Sequence, residues 1–224
     1  MTRLLIFDFD GTLADTRELI VATNQEAMRR MHYPVLGAER IIPTIGIPLK
    51  DGILTFFPDL PPEVLPVWIQ TYREVFDELK TRIVPPLFPG VKETLAALYG
   101  QGYRCTVASS RGSESLNDFL REMGVAPFIG YVLGADNVTK AKPDPEPVLK
   151  TLRDLSIPAG ETLVVGDMPV DIQMGTGAGA FTVGVSYGNA SRETLLAAGA
   201  HFVIDRFADL PAVIRELDGR GTPA

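Results

Sequence analysis

Two pairs of aspartates, each at the end of a short apolar run, are the side chains in this sequence best suited to chemistry. Asp8 and Asp10 form the first pair, and Asp167 and Asp171 form the second. Carboxylates packed together without partners require a cation, because burying an unpaired charge is costly. Oxygen ligands favour Mg²⁺ over zinc, since the chain has only two histidines and one cysteine. The pattern therefore predicts a magnesium site.

Such a site suits the attack of a carboxylate on phosphorus. The cation screens the attacking carboxylate from the phosphate, and a neighbouring acid carries the proton that the leaving oxygen needs. Charge counting agrees, because three ionised aspartates carry −3, which Mg²⁺ and one lysine bring to zero. This count takes Asp10 as protonated and uses Asp8, Asp167, Asp171 and Lys142.

A β-hairpin is the competing interpretation of the first pair, because Asp10-Gly11 between apolar residues is a strong hairpin signal. The residues after Gly11 lack the alternation of a second strand. Strands at the edge of a sheet also do not readily account for two separate apolar runs that each end in paired acids. We therefore expect a cation site here rather than a turn between antiparallel strands.

Short apolar runs alternate with helical periodicity along most of the chain, which predicts repeated strand and helix units. Such units form a parallel sheet covered by helices on both faces, so the expected fold class is α/β, with a Rossmann-like three-layer core. The predicted strands are 4–9, 103–108, 131–133, 162–165, 181–185 and 201–204, and the predicted helices are 19–28, 91–99, 114–123, 146–155, a short one near Asp171, 192–198 and 210–217.

Residues 16–84 interrupt this alternation. No strand is predicted there, whereas a periodic run from Glu63 to Leu79 lies between two Pro-Pro pairs and predicts a helix. The expected organisation is a catalytic core of residues 1–15 and 85–224, with a small helical domain of residues 16–84 inserted after the first strand.

Ligands of an open parallel sheet bind at the carboxyl ends of its strands. Ser109, Ser110 and Arg111 directly follow the second predicted strand, and Lys142 lies in the loop after the third. Hydroxyl groups and cations are thus expected beside the aspartates. Simpler interpretations stay open for three of these residues: a helix N-cap for Ser109, a solvated loop for Lys142 and a plain surface position for Arg111.

The composition argues against several classes of protein. A net charge of −7 opposes binding to the phosphates of nucleic acid. No apolar run is long enough to span a membrane, and the opening run is too short for a signal peptide, so a cytoplasmic protein is expected. Cys105 lies in an apolar run and is expected to be a small buried hydrophobic residue.

Together the motifs resemble those of the haloacid dehalogenase superfamily of aspartyl-phosphate hydrolases. The resemblance covers nearly the whole chain. The inserted helices resemble that family's C1 cap, and the stretches IGIPLKDGI and SYGNASRETLLAAGAHFVID are similar to its phosphoglycolate phosphatase-like branch. The four motifs, in the family's order, are Asp8-Phe9-Asp10-Gly11-Thr12-Leu13, the strand ending in Ser109, Lys142-Pro143-Asp144-Pro145, and Gly166-Asp167 to Asp171.

The resemblance implies a role for each catalytic position. Asp8 would be the nucleophile, and Asp10 would act first as general acid and then as base. Ser109 would hold the transferring phosphoryl group, while Lys142 would neutralise it and orient Asp8.

The resemblance also implies the ligands of Mg²⁺ and the substrate contacts. Asp167 would bind the metal with the Asp8 side chain and the Asp10 carbonyl group, and Asp171 would lie in or beside the metal shell. The candidate substrate contacts are Thr12, Ser110 and Arg111 in the core, and Gly46 and Lys50 in the cap.

The implied function is a Mg²⁺-dependent phosphatase that hydrolyses a small phosphorylated metabolite through an aspartyl phosphate, with phosphoglycolate as the first candidate. It would act as a monomer or homodimer, without nucleic acid or membrane partners. One alternative is a phosphomutase similar to β-phosphoglucomutase, and another is a pyrophosphatase of the same superfamily. The alternative of another class is a receiver-like signalling module, which also carries a phosphorylated aspartate but has no use for a helical cap.

Two other motifs compete with this interpretation. Gly184-Val185-Ser186-Tyr187-Gly188 fits the turn that carries the nucleophile of serine hydrolases, but His201 is expected to open the next strand rather than complete a triad. Gly175, Gly177 and Ala180 match a dinucleotide fingerprint, yet they precede a strand instead of following one.

Overall fold

Six parallel strands form one sheet in the computed structural model, which describes residues 1–219. The strands are β1 Leu4–Phe7, β2 Arg104–Ala108, β3 Ile129–Leu133, β4 Thr162–Gly166, β5 Phe181–Val185 and β6 Phe202–Ile204. Their order across the sheet is β3-β2-β1-β4-β5-β6, and every neighbouring pair is parallel. The point where the strand order reverses therefore lies between β1 and β4.

Both faces of the sheet are buried, as its continuous apolar runs predict. Successive side chains of β1 point to opposite faces, so Leu5 and Phe7 enter the larger apolar core while Leu4 and Ile6 enter a second one. All four side chains are fully buried. Cys105 of β2 lies in the larger core, and burial raises the pKa of its thiol to about 12. The predicted α/β class with a three-layer core is confirmed.

Helices cover the sheet and also fill the connection between β1 and β2. Those of the connection are α1 Arg17–Arg30, α2 Ala38–Ile41, α3 Leu49–Phe56 and α4 Val64–Leu79. Those that follow are α5 Val91–Gly100, α6 Ser113–Glu122, α7 Glu146–Leu155, α8 Pro169–Gly177, α9 Arg192–Ala197 and α10 Leu210–Gly219. Within residues 1–219 no helix is both long enough and apolar enough to cross a membrane.

The interval 16–84, called the cap below, is helical and has no strand. Helices α1 and α4 pack on each other, and Trp68 lies buried in an apolar cluster with Met28 and Ile53. Tyr33 and Phe57 pack against the Trp68 ring, with centroids 4.7 and 5.0 Å away. The cap thus has its own apolar centre, while the predicted domain limits stay a prediction.

The structure differs from the predicted elements at two places near the paired acids. β1 ends at Phe7 rather than Phe9, and Gly11, with a φ of 88°, lies in the turn that leads toward α1. The hairpin interpretation of the first acid pair is therefore wrong. The short helix predicted near Asp171 extends from Pro169 through nine residues, since proline suits the first turn of a helix.

Candidate active site

Three buried aspartates meet at the carboxyl edge of the sheet. Asp8 follows β1 and Asp167 follows β4, and these two strands are neighbours in parallel register. Asp171 lies in the first turn of α8, where its Oδ2 accepts a hydrogen bond from the Met168 amide at 3.0 Å. Each aspartate offers an oxygen that lies within 4.8 Å of those offered by the other two. Three of the four acids predicted to share a site are therefore in one cluster.

Lys142 is the cation of this cluster. Its Nζ donates to Oδ1 of Asp8 at 2.6 Å and to Oδ1 of Asp171 at 2.7 Å. The residue is only 4% exposed, so its interpretation as a solvated loop lysine is wrong. Burial opposes its charge, but the two carboxylates outweigh burial and raise the pKa of Lys142. The ammonium form is thus the stable one at this position.

Burial dominates the electrostatics of Asp8 and Asp167. It raises the pKa of Asp8 to about 7, against the opposing effect of the Lys142 charge. It also raises the pKa of Asp167, and the nearby Asp171 charge adds to this effect. When all three are ionised, one ammonium leaves two negative charges uncompensated. A divalent cation carries the charge that such a cluster lacks.

The donor atoms of the cluster fit a hard divalent cation. Oδ1 of Asp8 accepts a hydrogen bond from Lys142 and keeps a lone pair for a cation, while Oδ2 is buried with no hydrogen-bond partner among residues 1–219. Asp167 accepts one hydrogen bond on each oxygen, from the Thr12 hydroxyl at 3.3 Å and from the Asn189 amide at 2.7 Å. A carboxylate oxygen so bonded still has a free lone pair. Three carboxylates are a ligand set that Mg²⁺ prefers and zinc does not.

Asp10 pairs with Arg111 instead of joining this cluster. Nη2 of Arg111 donates to Oδ1 of Asp10 at 2.6 Å, and Nε donates to Oδ2 at 3.3 Å. The side chain of Asp10 is only 10% exposed, and that of Arg111 only 9%. Asp10 therefore lies outside the cluster, and Arg111 balances its charge whenever the carboxyl group is ionised.

Arg111 is enclosed by aromatic rings. Its guanidinium carbon lies 4.9 Å from the centroid of Phe76, 5.0 Å from that of Phe119 and 5.9 Å from that of Phe9. Its Nη1 donates to Oγ of Ser115 at 3.3 Å. The interpretation of Arg111 as a surface arginine is therefore wrong, whereas its contact with a substrate stays a prediction.

Ser109 and Ser110 follow β2 and make different contacts. Ser109 is buried, and its Oγ accepts a hydrogen bond from the Arg111 amide at 3.2 Å. Neither serine caps α6, whose N-cap residue is Gly112. The hydroxyl of Ser110 donates to the carbonyl oxygen of Gly46 at 2.7 Å, which joins a loop of the cap to the sheet edge.

Two of the predicted substrate contacts have very different surroundings. Thr12 is fully buried, and its hydroxyl is engaged by Asp167. Lys50 is exposed in the first turn of α3. Their roles toward a substrate stay predictions, as do the catalytic and metal-binding roles assigned to the other residues of the site.

A segment after β5 also supports the site, although none of its residues was predicted to contact the aspartates. The backbone N–H of Asn189 donates a hydrogen bond to Asp167. The side-chain nitrogen and oxygen of Asn189 are both buried without a hydrogen-bond partner in the described chain. A Cβ on Gly188 would lie 2.3 Å from Cβ of Asp167, so the close approach requires glycine. Tyr187 donates its hydroxyl to the Thr12 carbonyl at 2.8 Å. The position of this segment in the sequence could have indicated the contact, because it follows β5, which neighbours β4, and residues after neighbouring parallel strands meet at one edge of the sheet.

The residues of the competing motifs are engaged elsewhere. Ser186 donates its hydroxyl to the Asp205 carboxylate, whereas Nδ1 of His201 lies 2.8 Å from the Thr182 hydroxyl. The serine-hydrolase interpretation therefore lacks its nucleophile and base pair. The glycines of the dinucleotide-like motif lie in α8, before β5, which is the wrong side of the strand.

The sequence matches known proteins over most of its length. The family model of the haloacid dehalogenase-like hydrolases matches residues 5–185. The chain is 37% identical over 213 residues to the probable phosphatase IndB of Dickeya dadantii. This alignment covers 94% of this chain and 92% of IndB. It is 31% identical over 206 residues to the pyrophosphatase PpaX of Bacillus velezensis, and this alignment covers 92% of this chain and 93% of PpaX. A haloacid dehalogenase-like hydrolase structure from Bacteroides fragilis superposes with a TM-score of 0.89 at 27% identity, covering 94% of this chain and 100% of that one.

Proposed function

Because the chain belongs to the haloacid dehalogenase-like hydrolases and is an enzyme of the phosphatase kind, we propose that it hydrolyses a small phosphorylated metabolite, with Mg²⁺, through an aspartyl phosphate on Asp8. The pair formed by Lys142 and Asp8 carries this proposal. The lysine holds Oδ1 of Asp8 at 2.6 Å, while Oδ2 is buried with no hydrogen-bond partner among residues 1–219. A carboxylate fixed at one oxygen and free at the other is prepared for nucleophilic attack.

In the first step, the Asp8 carboxylate forms a bond to phosphorus as the bond from phosphorus to the leaving oxygen breaks. Asp10 gives its proton to that oxygen, so the product leaves as a neutral alcohol. Lys142 and the Ser109 hydroxyl stabilise the charge on the phosphoryl oxygens. The chain thus supplies a nucleophile, an acid and two groups that bind the phosphoryl oxygens.

In the second step, a water molecule attacks phosphorus and the bond to Asp8 breaks. Asp10 takes a proton from this water and returns to its acid form, and inorganic phosphate leaves. Arg111 lies beside Asp10 for this step, with Nη2 2.6 Å from Oδ1 of the carboxyl group.

Mg²⁺ is the cofactor we propose for this site. The side chains of Asp8, Asp167 and Asp171 would hold it, together with the Asp10 carbonyl group. When bound, the ion supplies positive charge that screens the attacking carboxylate from the phosphate. The support for this assignment is the buried cluster with two negative charges that Lys142 leaves uncompensated.

The test uses p-nitrophenyl phosphate and two isosteric variants. Asp8→Asn is expected to abolish turnover while the protein stays folded. Asp10→Asn is expected to release a burst of p-nitrophenol roughly stoichiometric with enzyme and then stall, because this leaving group needs little protonation whereas the second step needs a base. Mass spectrometry of the quenched Asp10→Asn protein should place a phosphoryl group on Asp8. Wild-type turnover by the Asp8→Asn protein would exclude this mechanism.

Pyrophosphate is a second candidate substrate beside phosphoglycolate, because a relative with 31% identity is a pyrophosphatase. A panel of phosphorylated acids, sugars, nucleotides and pyrophosphate, assayed for released phosphate and for isomerised product, separates the candidates. Phosphate released from phosphoglycolate at the highest kcat/KM would support the first candidate. Isomerised product without net release of phosphate would replace the phosphatase by a phosphomutase.

A further inference from the structure

Arg111 connects the cap to the acid and base group of the site. We propose that Arg111 is a positioning residue: its guanidinium holds the Asp10 carboxylate in place, and Phe76 of the cap helix α4 holds the guanidinium. The position of α4 thereby sets the alignment of Asp10 with the leaving group. This inference rests on the proposed role of Asp10 in proton transfer.

The contact between Arg111 and Asp10 is made at two points. Nη2 and Nε donate to different oxygens of the carboxylate, at 2.6 and 3.3 Å. A planar guanidinium bound in this way fixes the orientation of the carboxylate, which the point charge of a lysine does not do. Each oxygen keeps a lone pair, so Asp10 remains able to exchange a proton with an alcohol or a water molecule.

Aromatic rings from both the cap and the core hold the guanidinium. The Phe76 ring on α4 and the Phe119 ring on α6 lie 4.9 and 5.0 Å from it, and the two ring centroids are 6.1 Å apart. Tyr72, one turn earlier on α4, stacks nearly parallel to Phe76. Each contact of Arg111 with a ring face is attractive, and the enclosure leaves the side chain only 9% exposed.

The remaining contacts of Arg111 tie it to the core. Its amide donates to Oγ of Ser109 at 3.2 Å, and Nη1 donates to Oγ of Ser115 at 3.3 Å. Phe76 is therefore the wall of the enclosure that the cap contributes. If α4 shifts and withdraws Phe76, the guanidinium loses that wall, and Asp10 loses a fixed partner while the contact of Lys142 with Asp8 stays intact.

Misalignment of Asp10 has a kinetic signature that general damage to the enzyme lacks. Protonation matters greatly when the leaving group is an alkyl alkoxide and little when it is p-nitrophenolate. The constant kcat/KM reports the first step, in which the leaving group departs. A misplaced Asp10 therefore lowers kcat/KM for an alkyl phosphate much more than for p-nitrophenyl phosphate, whereas damage to Asp8 or to metal binding lowers both.

The experiment measures kcat/KM for β-glycerol phosphate and for p-nitrophenyl phosphate in the full-length protein. In Arg111→Gln and Arg111→Lys, the ratio of the alkyl to the aryl value should fall by about 10- to 100-fold, because small displacements of a catalytic group have effects of this size. Phe76→Leu, which leaves both charges of the ion pair in place, should lower the ratio in the same direction.

Two matched controls separate this effect from loss of charge or of an aromatic ring. Arg121→Gln changes an arginine of α6, the helix that follows Arg111, and its side chain is 69% exposed. Phe57→Leu changes an aromatic residue of the cap that packs on Trp68. Both variants should keep the wild-type ratio of the two kcat/KM values.

An unchanged ratio in folded Arg111→Lys and Phe76→Leu proteins overturns the proposal. A rise of the ratio also overturns it, since Arg111 would then restrain Asp10 rather than align it. If circular dichroism shows that the Arg111 variants do not fold, Phe76→Leu decides the question. Failure of the proposed function is distinguishable, because it appears as turnover by Asp8→Asn or as no wild-type activity on either substrate.

Discussion

Lys142 and Asp8 form an ion pair in the interior of the protein, with Nζ donating to Oδ1 at 2.6 Å. The same ammonium donates to Asp171 at 2.7 Å, so it links the end of β1 to the first turn of α8. Removing the cation from such a group leaves its carboxylates buried without compensation. The pair is therefore part of the fold as well as part of the proposed chemistry.

Replacement of Lys142 by methionine should cost both stability and activity. Lys142→Met keeps a similar volume but removes the ammonium, so unfolding in urea with EDTA present should show a loss of about 3–5 kcal/mol. Phosphatase activity should fall by at least about 100-fold, because the phosphoryl oxygens lose a preorganised cation.

Lys140 is the matched control for this prediction, since its side chain is 71% exposed two residues away. Lys140→Met should change the free energy of unfolding by less than about 0.5 kcal/mol. If the two methionine variants proved equally stable and equally active, the buried pair would have neither of the effects assigned to it.

Binding of Mg²⁺ should stabilise the protein, and the gain should grow with pH. Burial raises the pKa of Asp8 from 3.8 to about 7, so between these values the native state binds more protons than the unfolded chain. The stability of the metal-free protein therefore falls as pH rises through this window. Because Mg²⁺ binds the ionised carboxylates, its effect on Tm should increase from about pH 5 to about pH 8.

Thermal unfolding with and without Mg²⁺ measures this effect. At a Mg²⁺ concentration of about 100 times Kd, the stabilisation should reach about 2.7 kcal/mol. Asp167→Asn should remove most of the shift, whereas Asp59→Asn, at an exposed position of the cap, should keep it. A Tm that rises equally with Mg²⁺ in all three proteins would place the ion somewhere other than this cluster.

The sequence predicted the positions of the acids well because they depend on strong local signals. Apolar runs long enough for a strand precede Asp8 and Asp167, and a parallel sheet brings the ends of such runs to one edge. The site of Lys142 was predicted by its motif, although composition alone favoured a solvated lysine. The structure explains the difference, since two carboxylates hold the ammonium in the interior.

The partner of Asp10 was not predictable in the same way. Arg111 lies 101 positions further along the chain, and its enclosure depends on Phe76, whose place over the core is set by the packing of the cap. The support that Asn189 gives to Asp167 likewise depends on a close approach of two loops. Such contacts follow from tertiary packing, which the local spacing of residue types does not encode.

The loop around Gly46 is where the cap touches the sheet edge. Its carbonyl accepts the Ser110 hydroxyl at 2.7 Å, and its φ of 95° is in the region that glycine adopts without strain. A Cβ built on Gly46 would be 3.5 Å from the Met168 side chain, so the loop also lies over the turn that precedes α8. The cap is therefore held against two of the loops that build the site.

Loss of the Ser110 hydroxyl should loosen this contact in the free enzyme. One hydrogen bond is worth about 0.5–1.5 kcal/mol, so Ser110→Ala should raise KM by about two- to tenfold and speed tryptic cleavage after Arg40, which is exposed beside this loop. Ser113→Ala is the control, since its hydroxyl bonds Asp136. A role in substrate binding alone would raise KM but leave the cleavage rate of the free protein unchanged. That result would exclude Ser110 as the residue that holds the cap.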